Sequence, residues 1–403
     1  MPTQLSNFFS GIGAKRLSEV EVRPDSSNQH EFNGVTCFRD IFGTDRINFQ
    51  GRFIYISDND EEILDDSGSL TWYDARESHQ TRTEFRLYYS PNTVIDAAEQ
   101  GDLAIIGRMS DNELAVIVAP QGSTSEQQLL WLFGLEEVNT GFTLHNLTES
   151  DIQLSYAGQY IISSLGFELT DTIPDYLEEM IIRFGTGFPS TAEFSAYARS
   201  TLIDLSPVDA PDATLLTWLE REELLFRTIE NHLVSEKLEQ GFGNNGSNVD
   251  DFISYSLSVQ NRRKSRAGYA FENHLAVIFD SNNILYSWGA KTERNNKPDF
   301  LFPGITHYNN TEFATELLTM LGVKTTAKDR WRQVLSEANR IDNKHLITLE
   351  PAISQNQTDE MVAQNLQLVI PEQLQETYTL EQQTELINLS EFISIVRDNQ
   401  TRS

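Results

Sequence analysis

The sequence is poor in cysteine, in basic residues and in long apolar runs, and each shortage excludes a class of protein. The single cysteine, Cys37, can form neither an internal disulfide nor a cysteine-based zinc site. No apolar stretch approaches the roughly 18 residues that cross a bilayer, and residues 1–17 lack the sustained apolar core and cleavage site of a secretory signal. We therefore expect no membrane segment and a location in the reducing cytoplasm.

Basic residues are scarce, because 30 Lys and Arg face 60 Asp and Glu, which gives a formal net charge of -30. Such an excess of acid disfavours loose, nonspecific binding of nucleic acid, whose phosphates attract cations. It does not exclude a local basic cleft, since salt screens charges beyond about 8 Å at physiological ionic strength. The few basic residues do cluster, in two segments at 261–266 and 324–332.

What the sequence does contain predicts two domains, since 403 residues exceed the size of one ordinary core. Residues 1–168 carry short β-branched and aromatic runs between turn residues, as in FQGRFIYISD and ELAVIVAP, which is typical of a mostly-β barrel or sandwich. Residues 169–174 are interpreted as a linker. Residues 175–403 alternate segments of helical periodicity with short apolar strands, which predicts an α/β domain.

Two segments of the first domain, 23–34 and 74–86, mix Arg, His, Gln, Asn and Ser. Side chains of these types can contact phosphates and base edges. From the residues alone, solvated surface loops are the favoured interpretation.

In the second domain, an acid and a lysine mark the ends of two apolar runs. Asp299 follows Pro298 at the start of one run, and Lys324 closes the run LLTMLGVK. Hydrolysis of a phosphodiester needs a positioned water, a cation and a group that stabilises the leaving oxygen, and this pair could supply part of that set. Taken singly, a Pro-Asp turn and a surface lysine are the commoner interpretations of these residues.

The usual nuclease pattern places a second acid two positions before the lysine, but Gly322 stands there. We predict a helix over about 327–341, with one apolar face buried and with Arg330, Gln333 and Glu337 on another face. Glu337 would then supply the missing carboxylate. Glu272 is a further candidate acid, on a helix predicted over 249–280 with a break at Ala267–Gly268.

The segments NRRKSRAG, KPDFLFPG, TEF, VKTTAKDRWRQVLSEAN and LVIP resemble the catalytic domain of the EcoRII-type restriction endonucleases. That domain belongs to the PD-(D/E)XK nuclease superfamily, whose fold is a central mixed sheet flanked by helices. The resemblance is dense from about 171 to 378. It implies a Mg²⁺-dependent type II enzyme that cuts double-stranded DNA at a short palindromic, CCWGG-like site, within a restriction–modification system for phage defence. Because a palindromic target has two-fold symmetry, we expect a homodimer through this domain.

The resemblance also implies roles for individual residues. Asp299 and Glu337 would bind Mg²⁺, Lys324 would assist the attacking water and the transition state, Glu272 would support the metal site, and Tyr308 stands in a position that matches the family. The residues implied to read base edges in the major groove are Lys328, Asp329 and Arg330. Lysine or arginine can donate to guanine and aspartate can accept from cytosine, which suits adjacent C and G pairs.

The first domain resembles, over shorter segments, the family's effector domain, a B3-like pseudobarrel that grips DNA. It would sense a second copy of the target and relieve autoinhibition. The implied DNA-contacting residues are Lys15, Arg16, His30, Arg76, Arg82, Glu84 and Arg86. Two alternatives remain open: a modification-dependent nuclease whose first domain binds an altered base, and a non-catalytic DNA-binding regulator.

Overall fold

The chain forms two compact units. A computed structural model describes residues 4–23, 30–59, 63–79, 81–110, 112–147, 154–169, 171–185, 187–243, 246–328 and 330–402. The first unit comprises Met1–Leu169 and Pro351–Asn356, and the second comprises Thr170–Glu350 and Gln357–Ser403. The sequence indicates no such return of the chain. Within the first unit, Gln128 donates to the carbonyl of Pro351 (3.1 Å), which ties the returning segment to the rest of that unit.

The first unit is built on a mixed sheet in the order β2-β5-β4-β3-β7-β6-β1-β8, in which only β3 and β7 are parallel neighbours among the described residues. The strands are β1 (Gly11–Arg16), β2 (Glu31–Phe32), β3 (Ile47–Tyr55), β4 (Leu64–Asp74), β5 (Phe85–Tyr89), β6 (Leu103–Ser110), β7 (Glu113–Ala119) and β8 (Thr143–Asn146). Its helices are α1 (Glu19–Val22), α2 (Arg39–Phe42), α3 (Thr93–Ala97), α4 (Thr124–Phe133) and α5 (Tyr156–Ser164).

Strand β7 shows why this sheet forms. Its side chains alternate between two apolar clusters, with Ile117 in one and Val116 and Val118 in the other. Because successive residues of a strand point to opposite faces, a strand covered on both faces needs a continuous apolar run, and ELAVIVA is such a run.

The second unit has a five-stranded mixed sheet surrounded by helices, as the α/β prediction required. The strands are β9 (Ser287–Trp288), β10 (Phe300–Phe302), β11 (Thr319–Lys324), β12 (Lys344–Thr348) and β13 (Leu366–Val369). They lie in the order β13-β12-β11-β10-β9, with β11, β12 and β13 parallel and β9, β10 and β11 antiparallel. The helices are α6 (Leu177–Phe184), α7 (Thr191–Ser200), α8 (Pro211–Gln240), α9 (Val249–Ser281), α10 (Ile305–Asn309), α11 (Trp331–Val334), α12 (Gln355–Ala363), α13 (Glu372–Gln375), α14 (Leu380–Gln383) and α15 (Leu389–Thr401). In the described ranges, no helix is long and apolar enough to cross a membrane.

Helix α9 is continuous through Ala267–Gly268, so the predicted break is wrong. A glycine inside a helix costs only about 1 kcal/mol relative to alanine. Packing outweighs that cost here, because Phe271 is buried and Arg266 forms an ion pair with Glu222 of α8 (3.2 Å).

The helix predicted over 327–341 is also wrong, because among the described residues of that range only α11, a single turn, is helical. Lys328 (φ +28°) and Ala338 (φ +47°) take left-handed backbone conformations, which interrupt a right-handed helix on either side of α11. The predicted burial holds nonetheless for Trp331 and Val334, which are fully buried. The apolar pattern therefore indicates which side faces the core, although the backbone between its members is turn.

Candidate active site

Strands β10 and β11 bring the predicted acid and lysine together. They pair antiparallel, with Phe300 opposite Leu321, so the residue before β10 lies beside the last residues of β11. Oδ2 of Asp299 accepts a hydrogen bond from the amide of Val323 (2.6 Å) and one from Nζ of Lys324 (3.1 Å). Both side chains remain partly exposed, and a reacting group could therefore contact them.

The packing of α11 explains why position 322 is a glycine. A Cβ atom on it would lie 2.8 Å from Cγ2 and 3.1 Å from Cγ1 of Val334, whose branched side chain is stiff and fully buried. Any side chain at position 322 would therefore collide with α11. The usual second carboxylate cannot stand at this position unless α11 moves.

Glu337 supplies a carboxylate from the turn that follows α11. That turn is held from one side by residues 293–296, because Asn296 donates to the carbonyl of Ser336 (2.6 Å) and Glu293 accepts from the amide of Asn339 (3.4 Å). Tyr308 belongs to the same network: its hydroxyl donates to the Glu293 carboxylate (2.7 Å).

Tyr308 itself is buried, and the Arg340 amide donates to its hydroxyl (3.2 Å). Burial raises the pKa of Tyr308 to about 12. Its hydroxyl bonds to Glu293 and Arg340, so the structure places it behind the turn that carries Glu337.

The charges of the site act on one another. Burial, with a smaller contribution from Asp299, raises the pKa of Glu337 to about 7, although Lys324 opposes the shift. Burial also raises the pKa of Glu272, whose Oε2 accepts from the indole of Trp288 (2.7 Å) and which is influenced by both Asp299 and Lys324. The structure thus gathers the four predicted side chains, Asp299, Lys324, Glu337 and Glu272, into one electrostatic cluster.

Lys344 is a further member that the sequence reasoning missed. It is buried, and burial lowers its pKa, whereas Asp342, Glu337 and Glu293 raise it. Its ammonium donates to the carbonyl of Ile341. The available signal was a lysine directly at the start of the apolar strand HLITLE.

The donor set fits a cation that needs few protein ligands. Oε2 of Glu337 is buried and has no hydrogen-bond partner among the described atoms. No three His, Cys, Asp or Glu side chains of the described residues gather into a metal-binding group. Mg²⁺ usually keeps several waters and takes one or two protein carboxylates together with substrate phosphate, so Asp299 and Glu337 suffice for it.

The segment after Lys324 is anchored at its backbone. Lys328 is buried, and its amide donates to the carboxylate of Glu350 (2.9 Å), as does that of Ala327 (2.6 Å). Arg330 is exposed, and Asp329 lies outside the described residues.

The other basic cluster, at 261–266, is largely engaged with α8. Arg263 pairs with Glu230 (2.7 Å), and the buried Arg266 pairs with Glu222 and Glu223. Two of its charges therefore stabilise the packing of α9 on α8.

In the first unit, Lys15 departs from the prediction that it contacts DNA. It is buried, and its ammonium donates to both carboxylate oxygens of Glu21 (2.8 and 2.9 Å) and to the carbonyl of Asn33 (3.2 Å). A buried lysine is stable as a cation only when paired in this way. We therefore remove Lys15 from the set of DNA-contacting candidates.

The other first-unit candidates occupy four places. Arg16 pairs with Glu126, and His30 packs its ring against Tyr88 and Tyr89. Arg82 is exposed. The structure brings the remaining three together in one network of ion pairs, whose members are Arg76, Glu84, Arg86 and Glu31.

Comparison with known proteins identifies the family of this chain. The family profile described as "EcoRII C terminal" matches residues 226–393. The chain is 35% identical to the type II restriction enzyme EcoRII of Escherichia coli over 335 residues, which cover 82% of this chain and 79% of that protein. It is 28% identical to the type II restriction enzyme SsoII of Shigella sonnei over 127 residues, 28% of this chain and 41% of that one.

Two solved structures are similar in part. Metal-depleted Ecl18kI in complex with uncleaved DNA has a TM-score of 0.46 at 16% identity, covering 57% of this chain and 86% of that one. The PspGI–substrate DNA complex has a TM-score of 0.44 at 14% identity, covering 54% and 95%. Both scores lie below 0.5, so the assignment rests on the sequence relationship, which extends over both units: the chain belongs to the EcoRII family of type II restriction endonucleases and is a site-specific deoxyribonuclease.

Proposed function

We propose that this enzyme cuts double-stranded DNA at a short palindromic, CCWGG-like site and requires Mg²⁺. The observation that carries the proposal is the cluster of Asp299, Lys324 and Glu337, in which a carboxylate, an ammonium group and a second carboxylate share one partly buried place. The KDRWRQ segment, which follows Lys324 in the chain and is part of the resemblance to the EcoRII-type catalytic domain, supports the target.

Asp299 and Glu337 would hold the metal ion, with Glu272 in support. When bound, Mg²⁺ would neutralise the charge that develops on the phosphate and lower the pKa of a bound water. Asp299 is already oriented by the amide of Val323, so its free lone pairs keep a fixed direction.

Lys324 would stabilise the developing negative charge and orient the attacking water. Its ammonium has three donor hydrogens, and only one is needed for the bond to Asp299. In a partly buried site, a cation of this kind stabilises a transition-state charge more than it would in water. Tyr308 would act indirectly, through the turn that carries Glu337.

Asp329 and Arg330 would read the C and G pairs in the major groove, whereas Lys328 is buried and would act through its backbone, which Glu350 holds. A basic side chain can donate to O6 and N7 of guanine, and an aspartate can accept from N4 of cytosine. Arg330 is exposed and follows Lys324 by six positions along the chain, which supports its part of this assignment. Because a palindromic target has two-fold symmetry, we propose a homodimer, which sedimentation velocity would reveal.

The first unit would be a B3-like effector domain that binds a second copy of the target and relieves autoinhibition. Arg76, Glu84 and Arg86 are the strongest contact candidates, since they form one network and are partly exposed. The match to EcoRII over 335 residues supports a role for this unit as well as for the second. A cytoplasmic location completes the proposal.

Cleavage of plasmids with no, one or two CCWGG sites tests this function. We expect Mg²⁺-dependent cutting only at those sites, and faster cutting of the plasmid with two sites than of the plasmid with one. An added CCWGG duplex should raise the cutting rate of the one-site plasmid to that of the two-site plasmid. EDTA should abolish cutting. Absence of cleavage under all these conditions would overturn the proposal. Cutting of only the cytosine-methylated plasmid would instead identify a modification-dependent nuclease.

A further inference from the structure

A buried carboxylate at the end of β12 bears directly on the segment between the catalytic lysine and Arg330. Glu350 is fully buried. Its Oε2 accepts hydrogen bonds from two successive backbone amides, those of Ala327 (2.6 Å) and Lys328 (2.9 Å). Bonds from amides to an ionised carboxylate are stronger than bonds between neutral groups.

The two bonds explain an unusual backbone. Lys328 has φ +28°, a conformation that residues with a side chain rarely adopt and that persists only when its surroundings impose it. Successive amides can point at one oxygen when the chain turns in this way, and an anion then holds the turn. The Glu350 carboxylate occupies that anion position.

Glu350 is itself held from both sides. Its amide donates to the hydroxyl of Thr348 (3.2 Å), and its carbonyl accepts from the hydroxyl of Tyr378 (2.6 Å). The carboxylate is therefore a fixed point, and the turn is positioned relative to β12.

We propose that Glu350 is a positioning residue for sequence discrimination, which rests on the proposed base-reading role of Arg330. By holding the amides of Ala327 and Lys328, it fixes the direction in which the chain presents Arg330. The reading side chains then meet base edges in one geometry, and a wrong base pair cannot be accommodated by a shift of the turn. Direct readout depends on such placement.

Asp212 provides a matched control. It is also a buried carboxylate of the second unit, and it accepts from three backbone amides, those of Glu372 (3.2 Å), Leu389 (2.8 Å) and Ser390 (3.0 Å). Those amides lie at the starts of α13 and α15, far along the chain from 328–330. Asp212→Asn therefore disturbs an equivalent set of bonds outside the reading segment.

The test compares Glu350→Gln, Glu350→Ala and Asp212→Asn in the full-length protein. The measurement is the ratio of kcat/KM for a CCWGG duplex to that for duplexes with one substituted C·G pair. We expect the ratio to fall about 10-fold or more in Glu350→Ala, to fall less in Glu350→Gln, which keeps an acceptor oxygen, and to stay unchanged in Asp212→Asn. Circular dichroism and thermal unfolding identify any variant that fails to fold. If Glu350→Ala does not fold, the specificity ratio of Glu350→Gln alone decides the test.

A wild-type ratio in both Glu350 variants, or an equal fall in Asp212→Asn, would overturn the positioning role. In wild-type protein, the amides of Ala327 and Lys328 should also be protected from hydrogen exchange, and rapid exchange there would contradict it independently of any variant. The wild-type enzyme on the same duplexes reports on the proposed target separately. If it prefers another sequence, the CCWGG assignment fails, and the variants are scored against that sequence.

Discussion

Lys15 with Glu21 in the first unit and Lys324 with Asp299 in the second are both lysine–carboxylate pairs, at nitrogen–oxygen distances of 2.8 and 3.1 Å. The first pair is enclosed, with each side chain 1% exposed, whereas the second is 21% and 20% exposed. Glu21 also accepts from the Ser18 amide (2.9 Å), the Ser18 hydroxyl (2.6 Å) and the Asn33 amide (2.7 Å).

The two pairs differ in whether the carboxylates around them have all their hydrogen-bond donors. Around Glu21 the donors are complete, so the pair holds β1, α1 and the chain at 33 together. Around Asp299 the neighbouring Glu337 keeps a buried oxygen without a hydrogen-bond partner among the described atoms, and its pKa rises to about 7, chiefly through burial. The complete pair contributes to structure, whereas the incomplete cluster is the one that we propose to hold a cation and the substrate.

The largest effect should come from Asp299→Asn. The amide oxygen can still accept from Val323, but the proposed metal ligand loses its charge and would lose most of its affinity for a divalent cation. Cleavage should fall about 10³-fold or more, since metal-assisted charge stabilisation amounts to several kcal/mol and each 1.36 kcal/mol is tenfold. Plasmid cleavage rates measure this effect. Specific DNA binding in Ca²⁺ should persist, and loss of that binding would mean that Asp299 acts in recognition or folding.

Lys15→Met should have the next largest effect, on stability. It leaves the Glu21 carboxylate buried without its counter-ion, and breaking a buried pair costs about 3–5 kcal/mol. The first unit's unfolding transition in urea should shift, and Lys15→Met/Glu21→Gln should recover part of the loss because the unpaired charge is gone.

Cleavage per folded molecule of the Lys15→Met variant should remain that of the wild type on a plasmid with two sites. If stability is unchanged and the response to a second site is lost, Lys15 contacts DNA after all, and the distinction between the two pairs fails.

His345 shows that a buried atom without a hydrogen-bond partner is not by itself evidence of an active site. Its Nδ1 has no hydrogen-bond partner among the described atoms, but its ring contacts Phe392, and burial lowers its pKa to about 4. The unfolded chain binds this proton below about pH 6.5, whereas the folded chain binds it only near pH 4. The free energy of unfolding is therefore highest above pH 6.5 and falls as the pH drops toward 4. The pKa difference of about 2.5 between the unfolded and the folded chain corresponds to a loss of about 3 kcal/mol.

His345→Phe should reduce the acid sensitivity of the second unit's unfolding between pH 6.5 and 4. His232→Gln, at a partly exposed position of α8, is the matched control and should not. Equal acid sensitivity of wild type and His345→Phe would show that the ring is hydrated in solution.

The residues at strand ends and in long periodic helices could be predicted from the sequence. Asp299 and Lys324 border apolar runs, and α8 and α9 extend over many turns, so local pattern was sufficient to locate them, although it wrongly predicted a break in α9. The left-handed residues around α11 and the burial of Lys15 could not be predicted, because both depend on partners supplied by other segments. Glu350 lies inside an apolar strand pattern, and its partners are 22 and 23 positions away.

Gly322 gives the smallest effect and tests why the second carboxylate stands at Glu337. Gly322→Ala should destabilise the second unit by about 1–3 kcal/mol, because its Cβ would overlap the Val334 side chain. Gly268→Ala is the matched control: it lies within α9 with no atom near its Cβ, so it should be stabilising by up to about 1 kcal/mol.

In urea unfolding, Gly322→Ala combined with Val334→Ala should cost less than the sum of the two single changes. If the effects instead add and Gly322→Ala is harmless, then the position is free to hold an acid, and Gly322→Asp should restore cleavage to Glu337→Gln. If the collision is real, that rescue should fail unless Val334 is also shortened.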